Sequence, residues 1–234
     1  MPSNWNKGLT KATNSSVRKI SETMKRKKID NFAQWREKMR ASGKMKSGYP
    51  ALMKSGDLAE LIGVILGDGH IWKYPRTEEL SIFSNSNNPG FVERYSGLVE
   101  KVFGKKPVRT VHSKKNCIRI RIYEKHIGER LNVPTSPRRD KNIKIPRWIL
   151  DNNQYIVRYL RGLYEAEGSH CVHLPTSTYK LFFSNRNGSM LKNVFVLLRK
   201  LGFHPHASKN NYKVQLSKKE EVLKAIKLLE FRKY

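Results

Sequence analysis

At 234 residues the chain can bury a core as one moderate domain or two small ones, and with 38% hydrophobic and 10% aromatic residues it is not a disordered polymer. Forty-seven Lys and Arg against 19 Asp and Glu leave a net charge of +28, which points to a polyanionic partner, nucleic acid ahead of a membrane surface. No apolar run approaches the roughly 18–20 residues that would span a bilayer, and Cys117 and Cys171 are too few and too far apart for a disulfide framework or a metal knuckle.

Residues 1–56 carry 14 Lys and Arg against three acids, Glu22, Asp30 and Glu37. Two short helices are predicted, over 14–28 and 31–41, with Asn14 and Ser15 as caps of the first and "SGKMKSGYP" as a linker. Large apolar residues are too few for an independent core. The stretch reads as a basic arm, in which Trp5 and short helices would follow a groove and add phosphate contacts. A mitochondrial presequence or a disordered tail shares the same composition. The absence of a secretory signal and the two ordinary thiols predict an intracellular protein, in the cytoplasm or nucleoid of a prokaryote or in an organelle.

From Asp57 onward the apolar periodicity strengthens. A helix is predicted over "LAELIGVILGDG" (58–69), followed by strands, an amphipathic helix over 91–104 and a period-2 strand over 118–123. A basic, Pro-containing stretch, 135–150, leads into a second helix over "YIVRYLRGLYEAEG" (155–168), again followed by strands, a helix over 190–203 and a strand over 212–217. Displacing the chain by 99 positions pairs Leu61 with Leu160, Gly63 with Gly162, Gly67 with Ala166, Asp68 with Glu167 and Gly69 with Gly168. Ser84-Asn85 and Ser184-Asn185 continue the match with a small shift. Two tandem repeats, 57–150 and 151–234, are therefore expected, forming a monomer with pseudo-two-fold symmetry.

Positions i and i+4 lie on one helical face, so Gly63 and Gly67, and Gly162 and Ala166, form smooth stripes suited to close helix contact. Packing through those stripes would bring Asp68 and Glu167 to one edge. A lone Asp at a helix end is ordinarily a turn or cap residue. Two carboxylates in register repel unless a cation or a shared proton compensates. Hard oxygen ligands suit Mg²⁺, which binds through one or two carboxylates plus substrate phosphate and retains waters.

These two segments, with "IPRWIL" (145–150) before the second, resemble the signature helices of the LAGLIDADG homing endonucleases. The resemblance covers about 57–234. It implies an α+β fold of two αββαββα repeats, a saddle whose antiparallel sheets sit in the DNA major groove, and cleavage of both strands across the minor groove with divalent metal, Mg²⁺ or Mn²⁺. Carried over, Asp68 and Glu167 hold metal, with the Gly67 and Ala166 carbonyls as further ligands. The second copy departs from the family in having Glu for Asp at 167 and Ala for Gly at 166. The resemblance also implies a basic or amide residue near each acid. Arg121 and Gln215 fit by position, with Arg119 and Lys213 beside them. Residues 5–28 resemble the modular DNA-binding segments appended to some of these enzymes.

Alternation in "CIRIRIYEK" turns Ile118, Ile120 and Ile122 inward and Arg119 and Arg121 outward; in "NYKVQLSKK" Val214 and Leu216 turn inward, leaving Lys213, Gln215 and Ser217 outward. Arg and Lys can read guanine and Gln adenine. His70, Trp72, Lys73 and Arg76 after the first acid, and His170 and His173 after the second, are further candidate DNA contacts, with Arg138 and Arg139 candidate phosphate contacts. The two His beside the acids read as hydrogen-bond or phosphate partners ahead of metal ligands. The expected partner is duplex DNA with a long asymmetric site, with intron RNA as an additional possibility. The competing reading is a non-cleaving binder of the same fold, an RNA maturase or a transcription factor.

Overall fold

The structure is a computed structural model describing residues 6–45, 48–112, 116–135, 137–208 and 212–234; Trp5 and Ser136 lie outside the described residues. The chain divides into two compact units, one ending at Tyr49 and one running from Pro50 to the C-terminus. The first holds two helices, α1 (Ser15–Arg26) and α2 (Ala33–Ala41). Asn14 caps α1, its side-chain oxygen accepting from the Ser16 and Val17 amides at 3.0 and 3.1 Å. Neither helix buries a residue, and Phe32 and Trp35 are exposed.

The second unit begins with α3 (Gly56–Asp68), whose N-terminus is capped by Ser55 accepting from Leu58 N at 3.2 Å. A hairpin follows, β1 (Gly69–Lys73) and β2 (Glu78–Asn85), then α4 (Pro89–Phe103), β3 (Val108–His112), β4 (Cys117–Glu124) and α5 (Ile127–Leu131). Asn88 caps α4 with Pro at its start, and Gly104 ends it in the left-handed region at φ 61°. A single turn, α6 (Arg147–Leu150), precedes α7 (Asn153–Glu167), capped by Asn152. Then come β5 (Gly168–His173), β6 (Thr178–Ser184), α8 (Gly188–Lys200), β7 (His206–Ala207), β8 (Lys213–Leu216) and α9 (Lys219–Leu229).

Each repeat builds one antiparallel four-stranded sheet, ordered β1-β2-β4-β3 in the first and β5-β6-β8-β7 in the second. The expected α+β class and the tandem organisation are both present. Ile71, Leu80, Ile82, Ile120 and Ile122 line the helix side of the first sheet, and Leu181, Phe183, Val214 and Leu216 that of the second. All of them join one apolar core shared by both repeats.

α3 and α7 form the seam. A Cβ added at Gly63 would collide with the Tyr159 carbonyl, and one added at Gly162 with the Glu60 carbonyl and, at 2.7 Å, the Val64 amide nitrogen. Glu60 and Tyr159 correspond under the 99-residue displacement, as do Gly63 and Gly162. The contact is therefore reciprocal, as a two-fold interface requires. One turn on, a Cβ at Gly67 would meet the Ala166 methyl. Glycine in mid-helix costs about 1 kcal/mol relative to alanine, and this backbone approach is what it secures.

The ionic groups near the start of α3 do not obey the symmetry. Glu60, fully buried, accepts from Arg94 Nε and Nη2 at 2.6 and 2.9 Å and from Arg158 Nε at 2.5 Å. Arg158 also donates to Asp57 at 2.6 Å. Buried Arg161 lies 3.7 Å from Glu60 and 3.8 Å from Glu165. The network ties α3 and α4 of the first repeat to α7 of the second. The last residues close over it: the Arg232 amide donates to Glu165 at 2.7 Å and Arg161 donates to the Lys233 carbonyl at 3.0 Å.

Candidate metal centre and nucleic-acid interface

The seam delivers Asp68 and Glu167 as the final residues of α3 and α7. Both helices thus present their C-terminal ends, with unpaired carbonyls and the negative pole of the backbone dipole, beside the two acids. Gly69 and Gly168 follow in extended conformation, φ −96° and −89°, which any residue adopts. Their glycine identity has a steric cause, not the conformational one that a sharp turn suggests. A Cβ at Gly69 would lie 2.5 Å from Ile65 Cα, and one at Gly168 2.5 Å from the Tyr164 carbonyl. Each strand folds back against the helix it leaves.

Burial, then the nearby Glu167 charge, pushes the Asp68 carboxyl up to about 7, partly opposed by Arg232; burial also raises Glu167. Among the described residues no group of three or more His, Cys, Asp or Glu gathers. The donor set is thus two carboxylates, with the orphan carbonyls of two helix ends as further oxygens. In a chain of net +28 this is a local concentration of negative charge, and it fits a hard divalent cation that retains waters and takes remaining ligands from phosphate. Asp68, Glu167, Gly67 and Ala166 would hold it.

Three groups that the sequence did not single out support this site. Asn185 Nδ2 approaches Glu167 Oε1 at 3.4 Å. Its only signal was the recurrence of Ser-Asn-x-Asn at 84–87 and 184–187. Arg232 donates to the Gly168 carbonyl at 3.0 Å, and nothing in "EFRKY" announces that. Asn187 caps α8 and holds the connector between the repeats, its Nδ2 donating to the Arg138 and Lys141 carbonyls at 2.5 and 2.8 Å. A hollow of about 670 Å³ opens beside Glu167, lined by Gly67, Arg139, Asn185, Arg186 and Lys213 among others.

Arg138, expected on phosphate, instead turns inward. Its guanidinium donates to the carbonyls of Ile65 and Gly69 at the end of α3, and burial lowers its pKa. Arg139, its neighbour, is exposed. The two arginines of that loop differ in that one reaches carbonyls at the end of α3 and the other does not.

The outward parity of β4 and β8 matches the alternation. Arg119 and Arg121 stand on the face away from the helices, as do Lys213 and Gln215, while Ile120, Ile122, Val214 and Leu216 are buried. Ile118 is only partly buried. Arg121 shares a cross-strand row with Ser81 and His70, and Gln215 one with Phe182 and Ser169. Arg121 and Gln215 thus occupy equivalent places in the two sheets, two strands or about 10 Å from the strand leaving each acid. Gln215 Nε2 donates to Ser217 Oγ at 2.7 Å. Arg121 Nη1 donates to the Tyr123 hydroxyl at 3.4 Å, and its buried Nε has no partner among the described residues.

The strands after the acids are less uniform. His70 and Trp72 face outward, their rings 5.6 Å apart, but Lys73 has the parity of Ile71 and points to the opposite side. Arg76 is exposed in the hairpin turn. His170 pairs with buried Leu181, so it takes the helix side, where its ring meets Phe231 edge-on at 5.6 Å. The true counterpart of His70 is Ser169. His173 lies on the outer parity, Nδ1 2.7 Å from Thr176 Oγ1. Lys73 and His170 lie on short strands whose sequence does not alternate, so no facing could be read for them, and the register sets both on the helix-side parity.

No family model and no curated protein matches the sequence. Among solved structures, that of the homing endonuclease I-DmoI in complex with DNA and Mn superposes with a TM-score of 0.51 at 19% identity, covering 74% of this chain and 96% of that one. Mesophilic variants of the same homing endonuclease give 0.50 at 18%, covering 74% and 94%. The N-terminal LAGLIDADG domain of WhiA gives 0.52 at 14%, covering 80% and 88%. Two equivalent sheets, a reciprocal glycine seam and an acid at the end of each seam helix, together with these superpositions, identify the fold of this chain as that of the LAGLIDADG family.

Proposed function

We propose that this protein is a site-specific endonuclease that hydrolyses both strands of duplex DNA with divalent metal held between Asp68 and Glu167. The observation that carries the reading is the pair of carboxylates at the ends of two backbone-packed helices, each with its pKa raised and neither ion-paired with a side-chain cation among the described residues. A protein with no cation to hold would gain stability by an amide at either place. The I-DmoI complex with DNA and Mn agrees with the choice of partner and metal.

In this reading the metal supplies Lewis-acid activation of phosphate and a water made acidic enough to attack at neutral pH. The chain's own residues do the rest. Asp68 and Glu167, both ionised in the loaded state, fix the two reacting positions relative to one another through a seam too tight to shift. The rows holding Arg121 and Gln215 lie at equivalent distances from the two acids, so one cationic or amide donor is available to each scissile phosphate. The outer sheet faces supply the base contacts: Arg119, Arg121 and Lys213 suit guanine and Gln215 adenine. Arg76, Arg139 and His173, all exposed, suit backbone phosphate. The arm, up to Tyr49, adds 13 of the 47 basic residues and extends the contact along the duplex.

The test is incubation of the purified chain with a randomised duplex library and Mg²⁺, followed by sequencing of any new ends, with Asp68→Asn and Glu167→Gln alongside. Discrete ends on both strands of one long site, absent from both variants, are the expected result. Selective retention of DNA without cutting would instead assign a binder of the same fold.

A further inference from the structure

The outer faces of the two sheets are unlike. On the first, Trp72, Phe83, Tyr123 and Val108 stand 55%, 39%, 39% and 53% exposed, interleaved with Arg119 and Arg121. The rings of His70, Trp72, Tyr74 and Tyr123 form a continuous chain with centroid spacings of 5.6, 6.3 and 6.4 Å. On the second, the corresponding rows carry Ser169, Cys171, Lys180 and Gln215, and the Phe182 ring lies beneath the Lys213 ammonium at 4.9 Å.

Apart from Arg119 and Arg121, the first face has few hydrogen bonds to offer. Tyr74 donates its hydroxyl to Glu79 at 3.2 Å, and Ser81 donates to the same carboxylate at 2.7 Å. Arg119 lies 3.4 Å from it, and Glu79 is itself only 5% exposed. Tyr74, Ser81 and Glu79 are thus engaged among themselves, and what projects is aromatic and aliphatic surface between positive charges. A patch of that kind on a soluble sheet marks a contact, and the two arginines suit a polyanion.

Resting on the duplex-DNA reading above, we propose that the first sheet, besides the guanine contacts of Arg119 and Arg121, reads thymine, burying the 5-methyl groups of one half of the site against Trp72, Phe83 and Tyr123, while the second sheet reads its half by hydrogen bonds alone. In the major groove the thymine methyl is the apolar feature among donors and acceptors. Side chains with apolar edges and occupied hydroxyls discriminate for it and against cytosine. The target is then asymmetric in composition, with thymines gathered on one side.

The experiment selects sites from a randomised duplex library with the full chain in EDTA, which separates binding from cleavage. The enriched site is then resynthesised with deoxyuridine for thymine in one half at a time. Each methyl removed from the half under the first sheet is expected to weaken binding about fourfold, while the same change in the other half alters it less than twofold. Trp72→Ala and Phe83→Ser, both at exposed positions, are expected to bind the thymine site less tightly and to lose the deoxyuridine penalty. Enrichment with no penalty in either half, or a penalty unchanged in both variants, overturns thymine reading and leaves the duplex reading standing. Enrichment of single strands alone, or of nothing, overturns both.

Discussion

Replacing Asp68 by Asn tests the cost of an ionised carboxyl buried at the seam. Its carboxyl moves from an ordinary 3.8 to about 7, through burial first and Glu167 second. The folded pKa is above the unfolded one, so the penalty is absent below about pH 3.8, grows as the pH rises, and is complete above about pH 7. Taken in full, that difference corresponds to roughly 4 kcal/mol at about 1.36 kcal/mol per pKa unit. The side chain retains some exposure, and screening reduces the figure to about 2 kcal/mol. In EDTA the parent should therefore lose about 2 kcal/mol of unfolding free energy between about pH 4 and pH 7 relative to Asp68→Asn, which lacks the titration and should be the more stable of the two above pH 7. Urea denaturation of both chains across that interval, followed by tryptophan fluorescence, reads the difference directly. Equal stability above pH 7, or parallel pH profiles, would refute the claim that burial, with Glu167 second, opposes ionisation of Asp68 without metal.

Adding Mg²⁺ near pH 6 should release about one proton per molecule from Asp68, seen in calorimetry as a heat that varies with buffer ionisation enthalpy and is missing from Asp68→Asn. Gly162→Ala gains about 1 kcal/mol by helix propensity, yet its methyl would collide with backbone at Glu60 and Val64; a net loss of about 3 kcal/mol in urea midpoint analysis is expected. Glu60→Gln leaves Arg94 and Arg158 without their shared carboxylate, and should cost about 3 kcal/mol in the same assay. Deleting residues 1–49 should leave one cooperative melt for the remainder while lowering the magnitude of the salt slope of duplex binding, by about 0.9 for each phosphate that the arm no longer neutralises.

Much of this was legible in the sequence because the chain says it twice. The 99-residue displacement aligns Gly63 with Gly162 and Asp68 with Glu167, and those four positions are the ones the structure brings together at the seam. Alternation in β4 and β8 was equally direct, since Ile and Arg take opposite sides of a strand for strong physical reasons. The rest depended on long-range partners. Arg138 and Arg139 are adjacent and chemically identical, and only the carbonyls of Ile65 and Gly69 at the end of α3 draw one inward. His170 looked like a partner of the second acid, but the register of β5 on β6 pairs it with Leu181 and sets its ring against Phe231. Arg232 reaches the Gly168 carbonyl from the far end of the chain, a contact no local pattern encodes.

The glycine seam treats the repeats as equals, but the ionic network does not, and that difference decides which helix recognises which. Two copies of α3 laid together would bury a pair of Glu60 carboxylates with no Arg158 or Arg161 opposite them. Two copies of α7 would set those arginines against their own kind. Arg94 of the same repeat would remain on each Glu60, but only the mixed pairing adds Arg158 across Glu60 and Asp57. A nascent first repeat therefore has a reason to wait for its own second half and to avoid a neighbour's first. Tethering in one chain turns that preference into a nearly unimolecular search.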